Sequence, residues 1–193
     1  MIINTIYIAF SIVISGAILA LSDWRLRLLG LAFAQLIGFI LILQIWPIAL
    51  ASVKLISGWM AVVVLSATMA ATSSETSDQK FTISANVFKL MLAAFSWVAI
   101  AAVADNLISW LPISFTNLFV GLVFLFCGIF FMSLFTKIND IAVGLLIFLS
   151  GFDIIYSSLE GSALVTGIYA LIVILVSLVC SFLSGGMTIE SLK

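Results

Sequence analysis

The sequence predicts an all-α, polytopic membrane protein of about seven transmembrane helices, arranged as two parallel three-helix repeats joined by one linking helix (3+1+3). Three observations predict it. Of 193 residues, 65% are apolar and 8% are charged, with a mean hydropathy of +1.41, whereas a water-soluble domain has about a quarter of its residues charged. The apolar residues fall into seven runs close to the ~20 residues that a bilayer core requires. Glycines recur in the same order near the two ends of the chain.

The elements follow in chain order. The first run extends from Ile2 to Leu21 and stops at Ser22-Asp23-Trp24-Arg25. It has no basic leader region and no clear cleavage site, so it reads as a retained helix rather than a signal peptide. The second covers Leu26 to Trp46, where Pro47 interrupts, and the third covers Ile48 to Ala71. The polar stretch Thr72 to Lys80 then reads as a solvated loop. A fourth span covers Ser84 to Ala104; Asp105-Asn106 opens a connector from Leu107 to Phe115, broken by Pro112 and bearing Trp110, as an interfacial segment would. Spans five, six and seven are Thr116 to Phe135, Ile138 to Ser157 and Ser162 to Leu183. The organisation is therefore a first three-helix unit at 1–71, a cytoplasmic loop, linking helix and connector at 72–115, a second three-helix unit at 116–184 and a cytoplasmic tail at 185–193.

Charge placement sets the count and the direction, because cytoplasmic loops carry the lysines and arginines. Seven spans put Arg25, Arg27, Lys80, Lys89, Lys137 and Lys193 on one face, and only Lys54 is left over, inside span three. Six or eight spans would mix the faces. The N-terminus is then outside and the C-terminus cytoplasmic, in an inner (cytoplasmic) membrane. Trp24, Trp46 and Trp110 sit at span ends as interfacial anchors.

Several function classes are excluded or lack support. The chain has no histidine, so a bis-histidine haem, an imidazole zinc site and a Ser-His mechanism are excluded. Cys127 and Cys180 lie in apolar runs, where cysteine behaves as a small hydrophobe. A net charge of -1 is too small to steer a nucleic acid. No phosphate loop, metal-ligand cluster or paired carboxylates occur. Intramembrane aspartyl proteolysis needs two mid-membrane aspartates, and at most one is present. Neither a catalytic site nor a cofactor or metal is expected.

The internal repeat rests on glycine positions. Gly16, Gly30, Gly38 and Gly58 have counterparts in Gly128, Gly144, Gly151 and Gly167, and Gly30-Leu31 with Gly38-Phe39 matches Gly144-Leu145 with Gly151-Phe152. The stretch Leu55 to Ala61 matches Leu164 to Ala170, and no glycine falls between Thr72 and Phe115. The competing reading is chance recurrence of small residues that let membrane helices pack closely. Geometry favours duplication: three helices leave the chain on the opposite face, so a parallel repeat needs one more span to return it.

Ionisable groups at membrane depth are functional candidates, since they are expensive there. Lys54, about two turns into span three, and Asp153, about one turn from the end of span six, lie at comparable depth. They either face each other as an ion pair or a water-linked relay, or Lys54 snorkels to the interface while Asp153 is wet at a helix end. Gln35 and Gln44 in span two are intramembrane polar groups able to bond across helices. Asp105, Asp140, Glu160 and Glu190 read as solvated loop residues, and Asn117 and Asn139 as helix caps.

Two three-helix units joined by one helix, with a lysine in span three, resemble component E of hydrogenase-4 type complexes. The single unit resembles the K subunit (chain 4L) of NADH-quinone oxidoreductase and the C subunit of multisubunit sodium/proton antiporters. Gly144-Leu145-Leu146-Ile147-Phe148-Leu149-Ser150-Gly151 is similar to the component E stretch G-L-L-x-L-E-N-G, and Ala51 to Leu55 is similar to that family's lysine-bearing third helix. Leu149 and Ser150 stand where the pattern has Glu-Asn, and Ala32 stands where the K subunit's second helix has its glutamate. The resemblance implies a membrane subunit beside antiporter-like subunits, structural or partly degenerate as an ion path, with Lys54 its one family-like charge. Other classes remain open: a stand-alone small-solute transporter or channel with a site between the repeats, or a membrane scaffold.

Overall fold

The computed structural model describes residues 2–21, 23–72 and 83–190. Most of the expected polar loop, from Ser73 through Lys80, and the tail residue Lys193 lie outside the described residues. Seven helices form: α1 (Ile2–Ala20), α2 (Trp24–Leu43), α3 (Ile48–Thr72), α4 (Ile83–Leu107), α5 (Phe115–Leu134), α6 (Ile138–Leu159) and α7 (Ala163–Glu190). Six of them, α2 to α7, contain a stretch long and apolar enough to cross a membrane, while the apolar part of α1, Asn4–Ala20, is shorter. The chain is a multi-pass helical membrane protein.

The breaks have local causes. Pro47 has no N–H and disfavours helix in the residue before it, so α2 stops at Leu43 and the Pro47 carbonyl receives the first N–H groups of α3, from Leu50 and Ala51. Pro112 separates α4 from α5, and the Ser114 side chain caps α5 by accepting from the Asn117 N–H. Three boundaries differ from expectation by three residues or more. Span two ends at Leu43 rather than Trp46, α4 runs through Asp105 and Asn106 to Leu107 rather than ending at Ala104, and α7 continues to Glu190 rather than ending near Leu183. Gly185 and Gly186 weaken a helix without stopping it, and no proline follows to do so.

Each helix of the first trio packs on the helix holding the same place in the second: α1 on α5, α2 on α6 and α3 on α7. Helix α4 packs on α1 and α5. The most extensive pair is α5 with α6, where glycines bring two backbones together. A Cβ added at Gly128 would stand 2.5 Å from the Phe148 nitrogen and 2.6 Å from the Gly144 oxygen, and one at Gly151 would stand 2.5 Å from the Gly121 oxygen. The fully buried side chains, among them Leu31, Ile37, Phe124, Phe131, Leu146 and Ile147, fill the seam between the trios. Phe88, Phe95 and Val98 on α4 and Leu171, Leu175 and Phe182 on α7 are exposed. In a bilayer the hydrocarbon covers such faces.

Candidate functional site

Helix α6 sits between the trios and carries four buried polar side chains, Asp140, Ser150, Asp153 and Ser157. Ser150, Asp153 and Ser157 follow at spacings of three and four, which places them one above another on one helical face. Each of the four meets a residue of α2, α3 or the turn between them. At one end of the bundle, Lys54 of α3 donates from Nζ to Asp153 Oδ1 at 2.5 Å and to Ser157 Oγ at 2.7 Å. Lys54 is 4% exposed and Asp153 6%. The remaining side of the ammonium faces aromatic rings, with Nζ 4.4 Å from the Trp46 ring centroid and 5.5 Å from that of Tyr169, a cation–π arrangement. Trp46 is itself fixed by Nε1 donating to the Ser157 carbonyl at 2.9 Å. The Ser157 hydroxyl donates back to the Asp153 carbonyl one turn earlier.

Further along the stripe, Gln35 Nε2 donates to Ser150 Oγ at 2.7 Å, and Ser150 donates to the Leu146 carbonyl. The Gln35 amide lies against Gly58, where an added Cβ would come within 2.7 Å of it. Beyond Gln35 the seam is apolar: Leu28, Leu31 and Ala34 of α2 and Val143, Leu146 and Ile147 of α6 are all buried. From Gln35 back to Arg27 this layer spans roughly 12 Å at 1.5 Å per residue. At the far end Arg27 Nη1 donates to Asp140 Oδ1 at 2.8 Å and Arg27 Nε to the Leu21 carbonyl at 2.7 Å. Its guanidinium stands 4.2 Å from the Phe135 ring centroid and 5.2 Å from that of Phe131, and Lys89 Nζ stands 4.4 Å from the Phe135 centroid.

The structure brings Lys54 and Gln35 against the face of α6 that carries Asp153, where Lys54 pairs with Asp153 and Gln35 bonds Ser150. Of the two readings of that pair, the one with Asp153 wet at a helix end and Lys54 snorkelling away does not hold. Gln44 stands apart: because α2 ends at Leu43, it is the exposed C-cap of that helix rather than a group inside the span. Asp140 is a second correction. Expected in a solvated loop, it lies in the first turn of α6, is 7% exposed and pairs with Arg27, itself 4% exposed. Asn117 does not cap α5; its Nδ2 donates to Ser158 Oγ at 3.1 Å, and the cap is Ser114. Asn139 is not a cap either: Lys137 holds the N-cap of α6 and the buried Asn139 Oδ1 has no partner.

The sequence reading missed Ser150, Ser157, Trp46, Tyr169 and the Arg27–Asp140 pair. Two signals were present. The Ser150, Asp153, Ser157 spacing is helical, and Arg27 and Asp140 are 113 residues apart, within one residue of the separation of the glycine matches Gly30/Gly144 and Gly38/Gly151. Near the Lys54 end, a pocket of about 290 Å³ opens between the α2–α3 and α6–α7 connections, lined by Trp46, Pro47, Ser157 and Glu160 among others. Among the described residues no group of three or more Cys, Asp or Glu side chains could hold a metal ion. Compared with protein-family models, with curated proteins and with solved structures, the chain matches none.

Proposed function

We propose that the chain is a membrane subunit of a complex I-like, membrane-bound hydrogenase-like or multisubunit cation/proton antiporter-like complex, with the Lys54–Asp153 pair on its ion path. The observation that carries this reading is that pair, buried between α3 and α6. A buried ion pair is weak evidence for stability, because apolar residues of similar volume often do as well or better. Inside a membrane, ionisable groups are costly and mark functional sites, ion and substrate pathways among them. The apolar layer between Gln35 and Arg27 supports a subunit over a stand-alone channel: polar groups occupy both ends of the α2–α6 seam, so a partner would have to complete any route across. Pairing of like-placed helices supports the 3+1+3 repeat, with α1 as the seventh span. Arg25, Arg27, Lys89 and Lys137 at the end opposite Lys54 support that end as cytoplasmic, with the N-terminus outside, in an inner membrane.

The test is extraction in mild detergent from cells carrying a tagged chain, followed by ion-flux assay of whatever assembly is recovered. Antiporter-like subunits are expected to co-purify, and Lys54→Ala is expected to abolish flux. A lone monodisperse protein that moves a solute in liposomes would overturn the reading, as would Lys54→Ala leaving both assembly and flux unchanged.

A further inference from the structure

The α2–α3 turn and the end of α6 leave a pocket of about 290 Å³ between them, room for several water molecules at ~30 Å³ each. Its lining carries one sign of charge. Glu160 is the one charged residue among the described residues that line it. Glu160 Oε2 accepts from the Tyr156 hydroxyl at 3.0 Å, which holds the carboxylate and still leaves it lone pairs to offer. The same wall is the C-terminal end of α6, where the macrodipole places partial negative charge, and no basic residue in that last turn offsets it. A cleft lined by one sign of charge concentrates ions of the other.

The floor of this pocket is shared with the ion pair. Trp46 and Ser157 both line it, and both touch Lys54: Nζ donates to Ser157 Oγ at 2.7 Å and stands 4.4 Å from the Trp46 ring centroid. The ammonium is therefore one side chain away from the pocket. Its charge does not cancel the field of Glu160, because Asp153 balances it within the pair. We propose that the pocket is a vestibule that binds a small hydrated monovalent cation beside Glu160 and the end of α6. A calcium ion would need many more oxygen ligands than this wall supplies, and among the described residues no group of three or more acidic or thiol side chains gathers to hold a metal. The consequence rests on the ion-path reading above: the vestibule is the mouth of the path at the Lys54 end, with Trp46 as the wall between the mouth and the pair.

The experiment puts a thiol in the pocket and reads its reaction with charged reagents. Leu50→Cys, which lies on the lining, is made in a chain carrying Cys127→Ala and Cys180→Ala and is reconstituted in lipid nanodiscs, with Ile45→Cys as a second probe in case the first fails to fold. Relative to a free thiol, a cationic methanethiosulfonate is expected to react about tenfold faster than an anionic one, the low end of what a cleft of one charge gives. Glu160→Gln, which can still accept from Tyr156, is expected to remove that preference, and Glu160→Asp to keep most of it. Sodium or potassium chloride, replacing N-methyl-D-glucamine chloride at fixed ionic strength, is expected to slow the cationic reagent. No reaction at either thiol, equal relative rates for the two reagents, a preference that survives Glu160→Gln, or no slowing by either salt would each overturn the cation site. Ion flux through the parent assembly is measured alongside, and Glu160→Gln is expected to raise the half-saturating ion concentration about tenfold with maximal flux kept. If the thiol results hold but Glu160→Gln leaves flux unchanged while Lys54→Ala abolishes it, the pocket is not the mouth of the path and that role falls. If Lys54→Ala also leaves flux intact, the ion-path reading falls and the cation site stands on the thiol rates alone.

Discussion

At the Arg27 end of the bundle the buried cation is a guanidinium, held by one carboxylate, one backbone carbonyl and two phenyl faces. At the Lys54 end it is an ammonium, held by one carboxylate, one serine hydroxyl and an indole face. Both pairs join the first trio to α6, and they are the ion pairs found among the described residues. The side chains differ in what they permit. Arginine presents a planar fork of donors that a carboxylate and a carbonyl can hold in place, whereas lysine is a compact ammonium on a flexible stem. A second cation, Lys89, shares the Phe135 ring with Arg27, while the Lys54 end has a pocket above it and further polar groups below it. The Arg27 end reads as a clamp and the Lys54 end as a site.

The largest effects should come from halving the site pair. Asp153→Ala or Lys54→Ala leaves one buried charge unpaired and should destabilise the protein by about 3–5 kcal/mol, whereas the double replacement Lys54→Met with Asp153→Leu should cost little or even stabilise. Denaturant unfolding in detergent micelles measures this. On the proposed ion-path reading, ion flux through the parent assembly should be lost in the double variant despite its restored stability. Equal loss of stability in single and double variants would mean that the pair is structural, and the distinction between the two ends would collapse.

Next in size is the clamp. Arg27→Ala should cost about 3 kcal/mol, the low end of the range for breaking a buried pair, because Arg27 sits near a helix end where the orphaned Asp140 can gain water. Arg27→Met with Asp140→Leu should recover most of that and leave flux unchanged. Loss of flux in this double variant would extend the proposed path to the Arg27 end.

These two ends were unequally legible in the sequence. A lysine two turns inside a span has no reading as a loop residue, so Lys54 stood out, and Asp153 at matching depth followed. Arg27 and Asp140 lie within a turn of their helix ends, where a charge facing water and a charge facing a neighbouring helix have the same local sequence. Only packing decides between them, and the glycine contact of α5 with α6 is what sets the position of α6. The seven helices were legible because length and apolarity alone define them, while Gln44 was misjudged because the effect of Pro47 reached three residues back into α2.

The middle of the stripe gives a smaller effect that tests which end it belongs to. Gly58 and Gly167 match in sequence, but an added Cβ meets the Gln35 amide at the first and nothing within 4 Å at the second. Gly58→Ala should therefore cost about 1–3 kcal/mol by overpacking and lower flux by displacing Gln35 from Ser150. Gly167→Ala should be neutral or stabilise by up to about 1 kcal/mol through helix propensity. If Gly58→Ala destabilises without touching flux, Gln35 serves packing and the site ends at Asp153.

The smallest effect separates the two aromatic supports. Trp46→Phe keeps a ring face for Lys54 but removes the Nε1 bond to the Ser157 carbonyl, so it should cost about 1 kcal/mol and alter flux, because Ser157 is bonded directly to the Lys54 ammonium. Lys89→Gln removes only the second cation on Phe135 and should change stability by less than about 1 kcal/mol with flux untouched. The first perturbation acts on the ion pair and the second on a ring already held by Arg27. Were Lys89→Gln to change flux as much as Trp46→Phe, charge at the Arg27 end would be acting on the site across the apolar layer, and the two ends would have to be treated as one electrostatic unit.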